Sequence, residues 1–319
     1  MAAIAGVSQP EAEPMVSQML DRMGYRGPQD ALVKTQGSAT LGLRWPMGQP
    51  DAETTFKGRG IVEDYVSSSH YARVYDDQDG LVLTRDPLGV SPLYYGFNRD
   101  HILFFASEVK GLLDWVDQVQ ELPPGSTLKN GMVSSRNHLA VGKLVEEPRL
   151  SIAAELRRRL TVAVEKRATR GIAFGAWLSG GLDSSIMAAL ARPFIEKLHT
   201  FAAGFSGADD LEYARLVARH IRSVHHEVIP TFKEIIKAIP EVIYHLESFD
   251  ALLVRSSLMN YLVARAAADY VPAVFSGEGG DELFAGYDYL KKIPLEDLPT
   301  ELIDITNQLH NTALQRVDR

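Results

Sequence analysis

The sequence contains no cysteine among its 319 residues. It therefore forms no disulfide bond, offers no thiolate to a zinc ion and has no cysteine nucleophile. Long apolar runs are missing as well, since none approaches the roughly 20 residues that span a bilayer. The N-terminal "MAAIAGVSQPEAEP" lacks the features of a signal peptide. These absences predict a cytoplasmic protein without a membrane partner.

Positive charge is also scarce. The chain has 33 Lys and Arg against 41 Asp and Glu, a net charge of −8, and no basic tract. Nucleic acids and anionic membranes attract proteins mainly through clustered Lys and Arg. We therefore expect no nucleic-acid partner.

The hydrophobic pattern changes along the chain. One helix is predicted over Glu13 to Met23, and from Leu41 to about Lys143 short β-type runs alternate with turn residues. Examples of these runs are "YARVYDD", "LVLTRD", "LYYGF" and "ILFFAS". The first part therefore predicts a mainly antiparallel α+β domain of residues 1–146, followed by a second domain of residues 147–319.

The second domain alternates apolar runs with helical segments. The runs are "IAFGAWL", "LHTFAAGF", "VHHEVI" and "PAVFSG". This alternation predicts an α/β fold with a parallel sheet and ligands at the carboxyl ends of its strands. Ser151 is predicted to cap a helix that ends at Gly171. Thr231 and Glu234 are predicted to form a capping box, and Pro240 to break the helix that follows it.

A glycine-rich loop, "LSGGLDSS", follows the first of these runs. At a helix N-terminus, Gly180 and Gly181 would let the backbone approach phosphate oxygens closely. Three hydroxyl groups can donate to the same anion: Ser179, Ser184 and Ser185. Asp183 would repel phosphates unless a divalent cation lay between them, so its presence indicates Mg²⁺. The alternative interpretation is a polar turn capped by serine.

A second loop, "FSGEGGDELFAGY", follows the last apolar run. In a parallel sheet it would face the same crevice as the first loop, so Asp281 could share a metal with Asp183. Glu278 is the candidate general base. The alternative is a helix start at which the acids complement the dipole.

Two adjacent histidines, His225 and His226, lie in the third run. On a strand their side chains point to opposite faces. They are therefore predicted to be strand residues and not joint ligands of one metal ion.

With "LHTFAAGF", "VHHEV", "ESFDA" and "LHNTALQRVDR" in this order, the two loops resemble the synthetase domain of glutamine-dependent asparagine synthetases, an N-type ATP pyrophosphatase. The resemblance implies that the first loop binds the pyrophosphate of ATP, that Asp183 and Asp281 hold Mg²⁺, and that Glu278 assists amide formation. The residues implied to line the nucleotide pocket are Leu178, Ala203, Ser276 and Gly277. The implied reaction adenylates a carboxylate, of aspartate or an analogue, for attack by ammonia or an amine.

The first domain resembles class II glutamine amidotransferases, which are Ntn-hydrolase-like, through "IAGV", "YRGPQD", "RDPLGVSPLYYG", "FASEVKGLL" and "LPPGS". Members of that family begin Met-Cys-Gly, whereas this chain begins Met1-Ala2-Ala3. The family's Asn-Gly-Glu and Ser-Asp-Thr-Glu segments have no match, and the region from Asp51 to Asp64 is too short to hold them. We expect a reduced domain without glutaminase activity, in which "RDPLGVSPLYYG" is structural.

The chain ends at Arg319, where family members continue. The synthetase domain is therefore expected to be incomplete, and a second copy or a partner polypeptide to supply the rest. An apolar stripe of Leu302, Ile305, Leu309 and Ala313 is expected to be exposed as an interface, and the alternative is that it packs back on its own sheet. Two functions stay open: an AMP-forming amide synthetase, and a non-catalytic scaffold or regulatory paralogue that binds ATP and Mg²⁺.

Overall fold

The computed structural model describes residues 2–28, 30–45, 62–67, 70–77, 79–135, 142, 146–168 and 173–308. Contacts between residues divide the chain into two compact units. Unit 1 consists of Met1–Val141 with Lys292–Arg319, and unit 2 is Gly142–Lys291. The domain ranges 1–146 and 147–319 stay a prediction. Among the described residues no helix is long and apolar enough to cross a membrane.

Unit 1 is built on two antiparallel sheets. The strands of the first sheet are β1 (Ala3–Val7), β2 (Asp30–Gln36), β3 (Ala39–Trp45), β7 (Tyr94–Phe97), β8 (Leu103–Ala106) and β9 (Gln120–Glu121). Those of the second are β4 (Val62–Ser67), β5 (His70–Asp77), β6 (Gly80–Arg85), β10 (Ser126–Lys129) and β11 (Met132–Ser135). Their spatial orders are β2-β3-β1-β8-β7-β9 and β11-β10-β6-β5-β4. The predicted antiparallel, β-rich fold is confirmed.

Strand β1 shows how the layers of unit 1 pack. Its alternating residues separate into two cores, because successive side chains of a strand point to opposite faces. Ile4 packs with residues of the second sheet such as Leu83, so one core lies between the sheets. Ala5 packs with Met19 of helix α1 (Glu13–Asp21), so the other core lies under this helix. The predicted helix is confirmed and ends two residues before Met23.

Helix α8 (Leu298–Gln308) also belongs to unit 1. Leu302 and Ile305 of the predicted apolar stripe are partly buried there. Leu309 and Ala313 lie outside the described residues, as do most of Asp51 to Asp64 and Gly171. The proposed interface along the stripe stays a prediction.

Unit 2 contains a four-stranded parallel sheet, as predicted. Its strands are β12 (Phe174–Trp177), β13 (His199–Ala203), β14 (Val224–Val228) and β15 (Ala273–Phe275), in the spatial order β14-β13-β12-β15. Its helices are α2 (Arg149–Ala168), α3 (Leu182–Ala191), α4 (Asp209–Ile221), α5 (Phe232–Leu246), α6 (Ala251–Ala267) and α7 (Gly280–Phe284). The strand order places β12 beside both β13 and β15, so the loops after β12 and β15 leave the sheet side by side.

Two details of the helices in unit 2 differ from the sequence prediction. Ser151 does not cap α2, because the carbonyl of Pro148 already accepts the N–H of Ser151 and the helix has begun before it. Pro240 does not break α5, which continues through it. Pro240 is exposed, so water can solvate the carbonyl group that proline leaves without a donor. The capping box of Thr231 and Glu234 is confirmed.

The adjacent histidines of β14 point to opposite faces, as predicted. His225 Nδ1 lies 3.0 Å from Thr200 Oγ1, whereas His226 Nε2 lies 2.8 Å from His199 Nδ1. The pKa values of His199, His225 and His226 are lowered, and the largest cause is the burial of each ring, which disfavours its charged form.

Candidate active site

The glycine-rich loop joins β12 to α3. Gly181 is the N-cap residue of α3, and no side chain of the described residues caps the helix there. The first amide groups of α3 are thus available to an anion at the positive end of the helix dipole. Ser179 and Ser184 fix the loop, because their hydroxyl oxygens lie 3.0 Å apart and the Ser184 hydroxyl donates to the carbonyl of Gly181 at 3.2 Å.

Gly180 has a structural reason to be glycine. Its φ is +85°, and a Cβ atom there would lie 2.5 Å from Cβ of Tyr213 and 2.7 Å from the amide nitrogen of Ala214. The loop can therefore approach the start of α4 only without a side chain. The hydroxyl oxygen of Ser185 is buried without a hydrogen-bond partner among the described residues. Contact of Gly180 or Ser185 with phosphate stays a prediction.

The second loop packs directly on the first. A Cβ atom at Gly277 would lie 2.9 Å from the backbone of Asp183 and of Ser184, and one at Gly280 would lie 2.6 Å from the Asp183 carboxylate. Both glycines are thus needed for this close approach. Asp281 follows Gly280 at the start of α7, so the two predicted metal-binding acids belong to loops in contact.

The two loops surround a cavity of about 320 Å³ at the carboxyl ends of the strands. Its lining consists of Trp177, Leu178, Ser179, Gly181, Leu182, Asp183, Ser184, Phe201, Ala202, Ala203, Met259, Asn260, Val263, Ser276, Gly277, Glu278, Gly279, Gly280, Asp281, Glu282 and Tyr287. The structure thus brings together every site residue predicted from the sequence except Gly180 and Ser185. An opening at the strand ends of an α/β sheet is where ligands bind in such folds.

Sequence reasoning missed several lining residues. Trp177 and Phe201 come from the strands, and Met259 and Val263 lie one helical turn apart on α6. The spacing of Met259 and Val263 is a signal for a buried helix face, but it does not tell a core from a cavity wall. Tyr287 ends the second loop, and the sequence pattern alone indicates no role for it.

The charges around the cavity have one sign. Asp183, Glu278, Asp281 and Glu282 line it, while none of the described lining residues is basic. The pKa of the Glu278 carboxyl group is raised, first by its partial removal from water and then by the charges of Glu282 and Asp281. A carboxylate with a raised pKa is a stronger proton acceptor than an ordinary one, which suits a general base.

The acids fit a magnesium ion that is also bound by phosphate. Asp183 and Asp281 offer hard oxygen ligands at one cavity. Within the described ranges, no group of three or more acidic or histidine side chains is arranged to hold a metal by itself. Mg²⁺ commonly binds one or two carboxylates together with substrate phosphates and water, so a pair of acids is enough.

In unit 1, by contrast, the charged side chains near Ala2 are paired with one another. Ala2 is buried, and its carbonyl accepts a hydrogen bond from Arg26 Nε at 2.9 Å. Arg26 and Lys110 both pair with the Glu108 carboxylate, at 3.1 and 2.7 Å, and the Tyr25 hydroxyl donates to it. These contacts neutralise charge inside the protein.

The segment "RDPLGVSPLYYG" is a turn held by its own charged residues. Arg85 is buried and donates to the carbonyl groups of Gly89, Ser91 and Leu122. The Asp86 carboxylate accepts hydrogen bonds from several backbone N–H groups of the same turn. The contacts agree with the structural role predicted for this segment.

Comparison with known families assigns both parts of the chain. The asparagine synthase profile matches residues 155–317, and the glutamine amidotransferase domain profile matches residues 61–139. The first match covers about half of the chain. The chain therefore belongs to the asparagine synthase family.

Curated relatives support this assignment. Asparagine synthetase B (glutamine-hydrolyzing) of Escherichia coli strain K12 is 35% identical over 287 residues, covering 82% of this chain and 51% of that protein. A maize asparagine synthetase (glutamine-hydrolyzing) is 38% identical over 227 residues, covering 67% of this chain and 39% of that protein. The chain thus spans about half or less of the length of these relatives.

Among solved structures, the NH3-dependent NAD synthetase from Campylobacter jejuni is similar over 52% of this chain and 87% of that chain. The sequence identity is 14% and the TM-score is 0.33. A likeness of this size carries no functional argument.

Proposed function

We propose that the chain is an ATP-dependent, AMP-forming amide synthetase that adenylates a carboxylate for attack by ammonia or an amine. The observation that carries this proposal is that the glycine-rich loop before α3 and the acids Asp183, Asp281 and Glu278 all line the same cavity. Membership of the asparagine synthase family supports the reaction class. Aspartate or an analogue is the proposed acceptor.

The glycine-rich loop binds the pyrophosphate part of ATP in this proposal. The amide groups at the start of α3 and the hydroxyl groups of Ser179 and Ser184 donate to its oxygens. Asp183 and Asp281 hold Mg²⁺, whose charge offsets that of the pyrophosphate. Leu178, Ala203 and the loop after β15 line the rest of the nucleotide pocket.

Adenylation replaces the phosphoanhydride bond between the α- and β-phosphates of ATP by the mixed anhydride bond of an acyl-adenylate. An oxygen of the acceptor carboxylate attacks the α-phosphorus of ATP, and a new O–P bond forms. The bond from the α-phosphorus to the bridging oxygen breaks, and pyrophosphate leaves with its electron pair. The loop lowers the barrier by stabilising the charge that develops on this leaving group.

Amide formation needs a base. The nitrogen of ammonia or an amine attacks the acyl carbon, AMP leaves with the electrons of the broken C–O bond, and a nitrogen proton passes to Glu278. The raised pKa of Glu278 suits it to take this proton. We propose that free ammonia or an amine is the nitrogen source, because the chain contains no cysteine to act as glutaminase nucleophile and has Ala2 at the matching position.

An exchange assay tests the proposal. The purified chain should incorporate labelled pyrophosphate into ATP when Mg²⁺ and the acceptor carboxylate are present. Glu278→Gln should retain exchange while amide formation falls by about 10²- to 10⁴-fold, the usual contribution of a general base. Glutamine should not replace ammonia as nitrogen donor.

Two results would contradict the proposal. A wild-type chain that binds ATP with Mg²⁺ but exchanges no pyrophosphate with any carboxylate would be a binding module. Glutamine hydrolysis above background in a clean preparation would refute the loss of glutaminase activity.

A further inference from the structure

The loop after β15 folds back on itself. Helix α7 has five residues and is followed by its C-cap residue Ala285, whose φ of +57° is left-handed. The chain therefore reverses, and the amide of Gly286 donates to the carbonyl of Asp281 at 3.0 Å. The residues after α7 thus lie against the acids at its start.

Two successive residues contact two successive acids. Gly286 packs so closely on Asp281 that a Cβ atom there would collide with Oδ1 of the carboxylate. Tyr287 reaches the next acid, since its hydroxyl donates to Glu282 Oε1 at 2.6 Å. The first contact is steric, and the second is a charge-assisted hydrogen bond.

Glu282 depends on this hydrogen bond. The residue is only 8% exposed, and a buried carboxylate without a donor is costly. Tyr287 is 36% exposed and its ring stacks on Tyr289, with ring centroids 5.7 Å apart. Stacking alone leaves the position of the hydroxyl group undetermined, so the bond to Glu282 fixes the tyrosine side chain and adds a side-chain tie to the backbone bond between Gly286 and Asp281.

We propose that Tyr287 is a positioning residue, whose hydroxyl group anchors the buried Glu282 carboxylate and thereby holds Glu278 and Asp281 toward the cavity. The catalytic part of this inference rests on the proposed function. Glu278 precedes α7 and Asp281 lies in its first turn, so a loosened turn would displace both. Tyr287 itself transfers no proton in this scheme.

The test compares Tyr287→Phe with Tyr289→Phe. Both variants keep the stacked rings, but only the first loses a hydroxyl that bonds to Glu282. Hydrogen exchange of the peptide covering residues 276–290 should become faster in Tyr287→Phe and stay unchanged in Tyr289→Phe. Equal hydrogen exchange of this peptide in the wild type and in Tyr287→Phe would overturn the proposal, whether or not the chain is an enzyme.

Function supplies the second readout. Tyr287→Phe should reduce the gain in ATP affinity that Mg²⁺ produces. It should also lower kcat of pyrophosphate exchange by about tenfold, the size expected for one hydrogen bond to a charged group. KM for the acceptor carboxylate should change little. Glu282→Gln keeps an acceptor for the tyrosine hydroxyl and should retain the hydrogen exchange of the wild type, whereas Glu282→Ala should accelerate it.

The outcomes separate this inference from the proposed function. A wild-type chain that binds ATP with Mg²⁺ but shows no pyrophosphate exchange refutes the enzyme proposal. The measurements of ATP binding and hydrogen exchange still decide the role of Tyr287. If Tyr287→Phe merely lowers the melting temperature and leaves the loop and Mg²⁺ dependence unchanged, Tyr287 is only structural.

Discussion

The acids of the two units have different surroundings. In unit 1 the Glu108 carboxylate is surrounded by Arg26, Lys110 and Tyr25, so the protein supplies the countercharge. In unit 2, Asp183 and Asp281 line a cavity whose described lining contains no basic residue. The pKa values differ accordingly: that of Glu108 is lowered although burial opposes it, and that of Glu278 is raised.

This difference separates structural acids from ligand-binding ones. An acid whose charge is matched inside the protein contributes to folding and needs no ligand. Acids that face a cavity together repel one another, and a cation or a proton must relieve the repulsion. By this criterion the acids of unit 2 are the candidates for ligand binding, and the charged network near Ala2 has the character of a structural one.

The largest effect should come from the acids of the cavity. Asp183→Asn should weaken Mg²⁺-dependent ATP binding by at least roughly 100-fold, the upper end of what partners around a metal contribute. Asp281→Asn should cost a similar amount. Because both acids are proposed to share one ion, the double variant should lose little more than either single variant. Titration calorimetry with ATP at several Mg²⁺ concentrations measures all three.

The same variants carry an internal control. The ligand-free chain should not lose thermal stability with Asp281→Asn, because the removed charge repels Glu278. Fully additive losses of binding would show that the acids do not share a metal. A large fall in melting temperature would show that Asp281 is a structural acid, as in unit 1.

An intermediate effect is expected in unit 1. Glu108→Gln should lower the free energy of unfolding by about 3 kcal/mol, because it removes one charge of a buried ion-pair cluster with Arg26 and Lys110. Asp114→Asn is the matched control, since its pair with Arg22 lies at the surface and should contribute about 0.5 kcal/mol or less. Urea unfolding of both variants tests this. Equal losses would mean that burial does not decide the value of these ion pairs.

The sequence predicted the strands and the two loops because their signals are local. Apolar runs mark the buried strands β12 to β15, and glycine with acids marks the loops between them and the helices. Strand β1 was missed, since "AIAGV" is apolar on both faces, as suits a strand between a helix and a second sheet. Met259 was missed because only the packing of α6 shows that its face borders a cavity.

The errors at Ser151 and Pro240 have a common origin. Local rules state which residues favour a helix end, but not whether the helix ends there. The start of α2 at Arg149 is decided by the carbonyl of Pro148, and the continuity of α5 by the exposure of Pro240. The contact of Tyr287 with Glu282 also depends on a reversal of the chain that sequence spacing does not specify.

The smallest effect should be a difference in acid stability between the units. His199, His225 and His226 in unit 2 have lowered pKa values, mainly because burial disfavours their charged forms. The unfolded chain binds protons at the ordinary histidine pKa of about 6.5, whereas the folded unit does so only at lower pH. The stability that neutral histidines allow is therefore complete above this value and is lost as the pH falls below it.

Unit 1 should respond differently, because the lowered pKa of Glu108 keeps its ion pairs intact down to pH values below the ordinary glutamate pKa of about 4.3. Between about pH 7 and about pH 5, hydrogen exchange corrected for its intrinsic pH dependence should therefore accelerate in peptides of unit 2 and not in those of unit 1. His225→Gln should reduce this pH dependence, and His220→Gln, at an exposed position, should not. Parallel acceleration in both units would show that the neutral histidines of unit 2 do not set its acid sensitivity.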